Sequence, residues 1–129
     1  MTRVSVETHP RAVALHHLLL QVSDIDEAER FYCGVLGLTL KSREPFRDGR
    51  PFFNTHEGLG VTVGGPGDGI QVGHIAFRAV GVRDLAGRVR RAGFDILRDP
   101  GPGPYGLTVY VADPDGNEVE LIEDEEESP

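Results

Sequence analysis

The sequence contains a single cysteine, one methionine and no tryptophan among its 129 residues. One cysteine, Cys33, excludes a disulfide framework and a cysteine-rich zinc site, and it is expected to be an inert core residue. The sequence has no run of 18 apolar residues, so no segment is predicted to cross a membrane. The N-terminal residues lack the apolar core of an export signal. These absences favour a cytoplasmic location.

Acidic residues are concentrated at the C-terminus. The chain carries 13 Lys and Arg against 21 Asp and Glu, a formal net charge of −8, and five of these acids occupy residues 123–127. The rest of the chain has 16 acidic and 13 basic residues, a balance of −3. We therefore expect an N-terminal extension at 1–13, one domain at 14–123 and a solvated acidic tail at 124–129. The negative charge argues against nucleic acid as a partner, since phosphates require a basic face.

Two halves of the domain resemble each other. In each half a histidine, His17 or His74, begins a short apolar strand that is followed by a predicted helix and a closing glycine. The glycine comes 20 residues after His17 and 19 residues after His74. Three further strands follow each helix. The repeat predicts an α+β fold of two βαβββ modules, module one at about 14–65 and module two at about 70–123.

Hydrophobic periodicity and turn residues give the predicted elements. The two helices are expected from about residue 23 to Gly37 and from Arg83 to Ala92. Gly101–Gly106, rich in glycine and proline, is expected to be a mobile lip over the site. The strands are expected at 17–22, 38–43, 51–55, 59–63, 74–80, 94–98, 106–112 and 118–123.

Strand alternation places both histidines on the side of their strands that faces away from the helices. Neighbouring strand residues point to opposite faces. In the first strand, Leu18, Leu20 and Val22 form the predicted core face, so His17, Leu19 and Gln21 lie on the other face. In the equivalent strand of module two, His74, Ala76 and Arg78 lie on that same face. Parity therefore favours His17 over the adjacent His16 as a functional residue.

The last hairpin adds a tyrosine and a carboxylate to the same face. Asp113–Asn117 is a strong turn signal, and a turn centred on Asp115 places Tyr110 opposite Glu120. If the sheet curls, His17, His74, Glu120 and Tyr110 converge. Two imidazoles and one carboxylate are a ligand set for a divalent metal, and they leave positions open for a substrate.

Several segments resemble the vicinal oxygen chelate superfamily, which includes glyoxalase I, bleomycin-resistance proteins, fosfomycin-modifying transferases and extradiol dioxygenases. The resemblance covers about residues 14–123. It rests on four segments of the sequence, namely His17 with Val22–Asp24, Phe31–Leu38, Gly73–Phe77 and Asp113–Leu121.

The resemblance implies paired βαβββ modules that form a cupped mixed sheet around a divalent metal. It implies metal ligands at His17, His74 and Glu120, and a small substrate that chelates the metal through two oxygens. Polarisation of those oxygens by the metal would then drive the chemistry. Family members of this size are commonly dimers, which makes a homodimer the expected assembly; the cup is built within one chain or across two.

Three functions remain open within this resemblance. The preferred one is an extradiol ring-cleavage dioxygenase with Fe²⁺ or Mn²⁺, in which Tyr110 orients the substrate and His56 is a substitute acid–base group. The first alternative is a glyoxalase-like lyase or isomerase that uses Ni²⁺, Zn²⁺ or Co²⁺. The second alternative is a metal-free binding protein like the bleomycin-resistance members. Arg78, Gln21 and Leu19 are the candidate substrate-binding residues in each case.

The resemblance to glyoxalase I implies four metal ligands, one of which is a second carboxylate in the first half of the chain. Glu120 lies 46 residues after His74. The same spacing counted from His17 leads to Val63, with Thr62 beside it, and neither residue is a good metal ligand. His56 and Glu57 lie near the preceding turn and become candidates if the register shifts. Arg78 is the one cation predicted on the cup, which argues against a phosphate-rich substrate.

Overall fold

A computed structural model of the chain describes residues 10–46, 48–64 and 74–123. It contains two four-stranded mixed sheets, one in each module, with the helices packed against one face of each sheet. The predicted α+β fold of paired βαβββ modules with cupped sheets is confirmed. None of the helices in the described ranges is long and apolar enough to cross a membrane.

Module one begins with strand β1 (Leu18–Val22), which leads into helix α1 (Ile25–Glu29) and a π-helical segment (Arg30–Val35). The side chain of Asp24 caps α1 by accepting a hydrogen bond from the backbone N–H of Glu27. Three strands complete the module, namely β2 (Leu40–Ser42), β3 (Phe52–Thr55) and β4 (Leu59–Val63). Their order in the sheet is β1-β4-β3-β2, with β1 parallel to β4.

Module two repeats this arrangement with longer elements. Strand β5 (His74–Ala79) leads into helix α2 (Val82–Arg91). The remaining strands are β6 (Ile96–Gly103), β7 (Gly106–Ala112) and β8 (Glu118–Glu123). The sheet order is β5-β8-β7-β6, with β5 parallel to β8. The first strand of each module therefore lies at a sheet edge.

The core lies between the helices and one face of each sheet, as strand alternation predicts. Leu20, Phe53 and Val61 of module one are fully buried, and Val109 and Leu121 of module two fill the positions equivalent to Phe53 and Val61. The opposite face of each sheet we call the cup face. It carries Leu19, Asn54 and Gly60 in the first sheet and Ala76, Tyr110 and Glu120 in the second.

Two predictions of local structure were wrong. Strand β1 begins at Leu18, so His17 precedes the strand instead of starting it. The predicted lip at Gly101–Gly106 is part of a hairpin, because β6 continues to Gly103 and pairs with β7. Strand β6 lies at the edge of its sheet, where prolines that cannot donate a ladder hydrogen bond are tolerated. The residues predicted as an extension, 1–13, are described only from residue 10, and the acidic tail at 124–129 lies outside the described residues.

Candidate active site

His74 and Glu120 form a pair on the cup face of module two. Because β5 runs parallel to β8, Ala76 lies opposite Glu120 and His74 lies opposite Glu118. The His74 Nε2 and Glu120 Oε1 atoms are 3.5 Å apart. Glu120 is only 6% exposed, whereas His74 is exposed. An imidazole nitrogen and a buried carboxylate at this separation present two donors that suit a borderline divalent ion.

Tyr110 lies directly opposite Glu120 across the β7–β8 hairpin, in the register that the sequence predicts. Burial and the neighbouring Glu120 carboxylate, to which the phenol is hydrogen bonded, raise the pKa of Tyr110. Its hydroxyl, which is protonated at neutral pH even at the ordinary pKa of tyrosine, therefore stays protonated to higher pH beside the carboxylate. Arg98 pairs with Tyr110 on the other side, and its guanidinium lies 5.6 Å from the centre of the ring. The prediction that Arg78 is the one cation on the cup was wrong, since Arg98 pairs with Tyr110 and therefore lies on the cup face as well.

His17 lies in module one, just before β1. Its Nδ1 is 2.8 Å from Nδ1 of His16, and both rings line a cavity of about 360 Å³ on the cup face. Within residues 10–46, 48–64 and 74–123, no three His, Cys, Asp or Glu side chains lie close enough to hold a metal ion. One chain thus brings His74 and Glu120 together but does not add His17 to them.

The position in module one that corresponds to Glu120 is occupied by a glycine. Leu19 pairs with Gly60 in the same way that Ala76 pairs with Glu120. A Cβ at Gly60 would lie 3.2 Å from Cε1 of Phe52 and 3.4 Å from Cδ1 of Leu19. The equivalent site is therefore closed by apolar side chains. The sequence spacing that pointed to Val63 and Thr62 was wrong, because the strand connections of the two modules differ in length.

Glu57, the other carboxylate considered for module one, is engaged elsewhere. Its Oε1 accepts a hydrogen bond from the backbone N–H of Thr39, and its Oε2 accepts one from the Thr39 hydroxyl. Partial burial acts to raise the pKa of Glu57, but these hydrogen bonds outweigh it and lower the pKa. Glu57 lines a second cavity of about 600 Å³, whereas His17 lines the first.

Three of the remaining predicted residues line one or the other of these two cavities. Leu19 and His56 line the first cavity together with His17. Arg78 lines the second cavity, near Glu57. The side-chain amide of Gln21 donates a hydrogen bond to the carbonyl of Gly64. Cys33 is half-buried on the π-helical segment, and burial raises the pKa of its thiol to about 11, which agrees with an unreactive residue.

Lys41 also lines the first cavity, and sequence reasoning missed it. The register between β2 and β3 shifts between Leu40 and Ser42, so simple alternation could not assign a face to Lys41. It is the one lysine of the sequence. The only available signal was a cation in a short strand that follows the predicted helix.

The backbone of Gly58 fixes the segment that carries His17. Gly58 has φ of +101°, and its carbonyl accepts a hydrogen bond from the N–H of Leu18 at 2.9 Å. A Cβ there would lie 3.1 Å from the carbonyl oxygen of His16 and 3.9 Å from Cα of His17. The position thus combines a left-handed backbone with a close approach to the predicted ligand.

Replacing Gly58 with alanine is expected to lower the free energy of unfolding by about 1–2 kcal/mol and to weaken metal binding, because His17 must shift. Gly37→Ala is the matched control: Gly37 has φ of +87°, but a Cβ there meets nothing within 4 Å. Urea unfolding and metal titration of both variants measure the two effects. Equal metal affinity in the two variants would contradict the role assigned to Gly58.

A family model described as the Glyoxalase/Bleomycin resistance protein/Dioxygenase superfamily matches residues 14–121. A probable lactoylglutathione lyase from Synechocystis is 32% identical over 124 residues, covering 84% of this chain and 94% of the relative. A lactoylglutathione lyase from Neisseria meningitidis is 32% identical over 124 residues, covering 84% of this chain and 89% of that relative. These relatives give the dioxygenase interpretation no support.

Solved structures share the fold. A glyoxalase I mutant from Zea mays superposes with a TM-score of 0.72 at 25% identity, covering 85% of this chain and 45% of the maize chain. TnmS3, an antibiotic binding protein from Streptomyces, superposes with a TM-score of 0.73 at 21% identity, covering 89% of this chain and 98% of TnmS3. The fosfomycin resistance protein FosX from Listeria monocytogenes, solved with Mn(II) and sulfate, has a TM-score of 0.67 at 19% identity, covering 88% of this chain and 91% of FosX.

Proposed function

The chain belongs to the Glyoxalase/Bleomycin resistance protein/Dioxygenase superfamily, and from this we propose that it is a divalent-metal-dependent lyase of the glyoxalase type. Its reaction would interconvert a lactoyl-type thioester with a thiol and a 2-oxoaldehyde by way of their hemithioacetal. The observation that carries the proposal is the His74–Glu120 pair on the cup face of a chain whose relatives are lactoylglutathione lyases. The dioxygenase preferred on sequence grounds gives way to its lyase alternative.

His17, His74 and Glu120 are the residues that would hold the metal. The donor set of two imidazoles and one carboxylate suits Ni²⁺, Zn²⁺ or Co²⁺, which replace Fe²⁺ and Mn²⁺ as the expected ions for lyase chemistry. When bound, the ion acts as a Lewis acid that polarises the oxygens of the substrate. Glu120 is buried and supplies the negative charge of the site, and its hydrogen bond with Tyr110 orients the carboxylate.

We infer that a complete metal site is shared between two chains. His17 is not close enough to His74 and Glu120 to complete a metal site within the described part of one chain. The edge strands β1 and β5 are each paired on one side only, within their own sheets. We therefore infer a homodimer in which module one (14–65) of one protomer faces module two (70–123) of its partner. The extension at 1–13 and the tail at 124–129 lie outside both modules in this proposal.

His56 is the proposed acid–base group. Hemithioacetal isomerisation moves a proton between adjacent carbons, so the site needs a base within reach of the substrate. Gly60 offers no carboxylate for this purpose, whereas His56 lines the same cavity as His17. Because the Tyr110 hydroxyl donates its hydrogen to Glu120, it would orient the substrate by accepting a hydrogen bond from a substrate hydroxyl. Leu19 contributes to the substrate surface, while Arg78 and Gln21 keep a more distant role in binding.

The test is to load the purified protein with each metal in turn and to follow hemithioacetal isomerisation, with O₂ consumption on a panel of catechols as the competing assay. Isomerisation with Ni²⁺, Zn²⁺ or Co²⁺ and no O₂ uptake supports the lyase. O₂ uptake with Fe²⁺ or Mn²⁺ without isomerisation overturns it. His56→Gln is expected to lower kcat by about 10²-fold with unchanged metal stoichiometry. Loss of the metal from this variant would instead make His56 a ligand.

A further inference from the structure

The cavity of module one has an apolar wall where module two has its carboxylate. Phe52 and Leu19 close over Gly60 at 3.2 Å and 3.4 Å from the position of a Cβ. Phe46 stacks on Phe52, with ring centres 4.7 Å apart and planes inclined by 29°. The wall thus presents a stacked aromatic pair and a leucine to the same cavity that His17 and His56 line.

A single ammonium group lies beside this apolar wall. Lys41 is exposed and lines the cavity, and among the residues that the structure describes it has no ion-pair partner. The neighbouring cations differ in this respect. Arg43 bridges Asp26 and Glu29, and Arg50 is paired with Asp48. Lys41 is therefore the cation on this side of the cup that is available to an anionic ligand.

We propose that the cavity of module one is a binding subsite for a monoanionic organic acid with an aromatic or branched apolar body. The carboxylate binds the ammonium of Lys41, and the body packs against Phe52, Phe46 and Leu19. This deepens the proposed function and rests on it, since it names the class of substrate that the same cup would select. The lyase would then favour thiol adducts that carry one carboxylate and a bulky apolar group.

Size and charge are consistent with this class. An engineered apolar cavity of about 150 Å³ holds a benzene ring. The cavity of about 360 Å³ thus has room for a ring and a short chain that ends in a carboxylate. A charge-assisted hydrogen bond from an ammonium group contributes more than a neutral one, so Lys41 selects the ionised acid. A ligand with several negative charges would find only one ammonium on this wall.

Binding of 4-phenylbutyrate and of its neutral analogue 4-phenylbutyramide tests the proposal. The full chain is stripped of metal with a chelator, and affinity is measured by calorimetry for the wild type, Lys41→Gln, Phe52→Ala and the control Arg83→Gln. Arg83 is exposed at the start of α2 and changes the net charge equally. We expect the acid to bind at least about tenfold more tightly than the amide, and this preference to disappear in Lys41→Gln but to persist in Arg83→Gln.

Phe52→Ala is expected to weaken the acid and the amide alike. Equal affinities for acid and amide in the wild type would overturn the proposal, and so would a preference that survives Lys41→Gln. Failure of both probes to bind would overturn it as well. Circular dichroism of each variant verifies its fold. Because the metal is absent throughout, failure of this test is separable from failure of the proposed lyase, which is measured by metal content and isomerisation.

Discussion

Replacing His74 with alanine is expected to remove the bound divalent ion and to lower kcat/KM by about 10³-fold, equivalent to about 4 kcal/mol of transition-state stabilisation. His74 is exposed on the cup face, and its Nε2 lies 3.5 Å from Oε1 of Glu120. Its removal leaves the Glu120 carboxylate without the neighbouring nitrogen that would share the metal ion. Because the side chain is exposed, the fold should be retained. Mass spectrometry of the metal content and steady-state kinetics measure the two effects.

Glu120→Gln should have a comparable effect on metal content, because the amide keeps the shape of the side chain but loses its charge. Glu118→Gln is the matched control: it makes the same change of charge two residues away on β8, opposite His74. We expect it to keep the metal and to stay within about threefold of the wild-type kcat/KM. A metal site that survives His74→Ala, or one that is lost in Glu118→Gln, would contradict the ligand assignment.

Asp113→Ala is expected to lower the free energy of unfolding by about 3 kcal/mol, because it leaves the buried Tyr32 hydroxyl and three partly buried donors of the turn without an acceptor. Asp113 is 4% exposed. Its Oδ1 accepts hydrogen bonds from the backbone N–H groups of Asp115 and Asn117 at 2.9 Å and 2.8 Å. Its Oδ2 accepts from the hydroxyl of Tyr32 at 2.7 Å and from the amide of Asn117 at 2.8 Å. This carboxylate joins the helical segment of module one to the turn that sets the β7–β8 register.

Urea unfolding of Asp113→Ala, with Asp115→Ala as the exposed control, measures the effect. Among the described residues, Asp115 accepts only longer hydrogen bonds, from the N–H of Ser23 at 3.1 Å and 3.2 Å, so its loss should cost less than about 1 kcal/mol. Equal losses in the two variants would contradict the central role of Asp113 in this turn.

The Tyr32–Asp113 hydrogen bond also predicts a dependence of stability on pH. Burial first, and then the charge and hydrogen bond of Asp113, raise the pKa of Tyr32 far above its ordinary value. Because the pKa is raised in the folded state, the protonated Tyr32 hydroxyl contributes fully to the free energy of unfolding below about pH 10, the pKa of tyrosine in the unfolded chain. This contribution is lost as the pH rises further. In Tyr32→Phe, the free energy of unfolding should therefore decrease less steeply as the pH rises above about 10.

Local signals predicted the parts of the fold that short-range geometry determines. The Asp113–Asn117 turn fixed the pairing of Tyr110 with Glu120 because a hairpin allows few registers. Alternation separated Leu20 and Val22 of the core from Leu19, since the pattern of a half-buried strand repeats every two residues. The repeat predicted the two modules because the same order of elements occurs twice.

Features that depend on the length of the connection between two strands could not be predicted from the sequence. The step from the first strand to its parallel partner is 41 residues in module one, from Leu19 to Gly60, and 44 in module two, from Ala76 to Glu120. A fixed offset therefore misses Gly60 by three residues. Lys41 was missed because β2 shifts its register, and the strand character of Gly101–Gly103 was hidden by prolines that an edge strand tolerates.

Mixing two inactive variants tests the shared site most directly. His17→Ala and His74→Ala are each expected to lack a functional metal site. If His17 of one protomer completes the site with His74 and Glu120 of its partner, each mixed dimer regains one intact site. After subunit exchange, about a quarter of the wild-type sites should return, measured as metal bound per chain and as isomerisation rate. No recovery in a mixture shown to contain mixed dimers would contradict a site built from two chains.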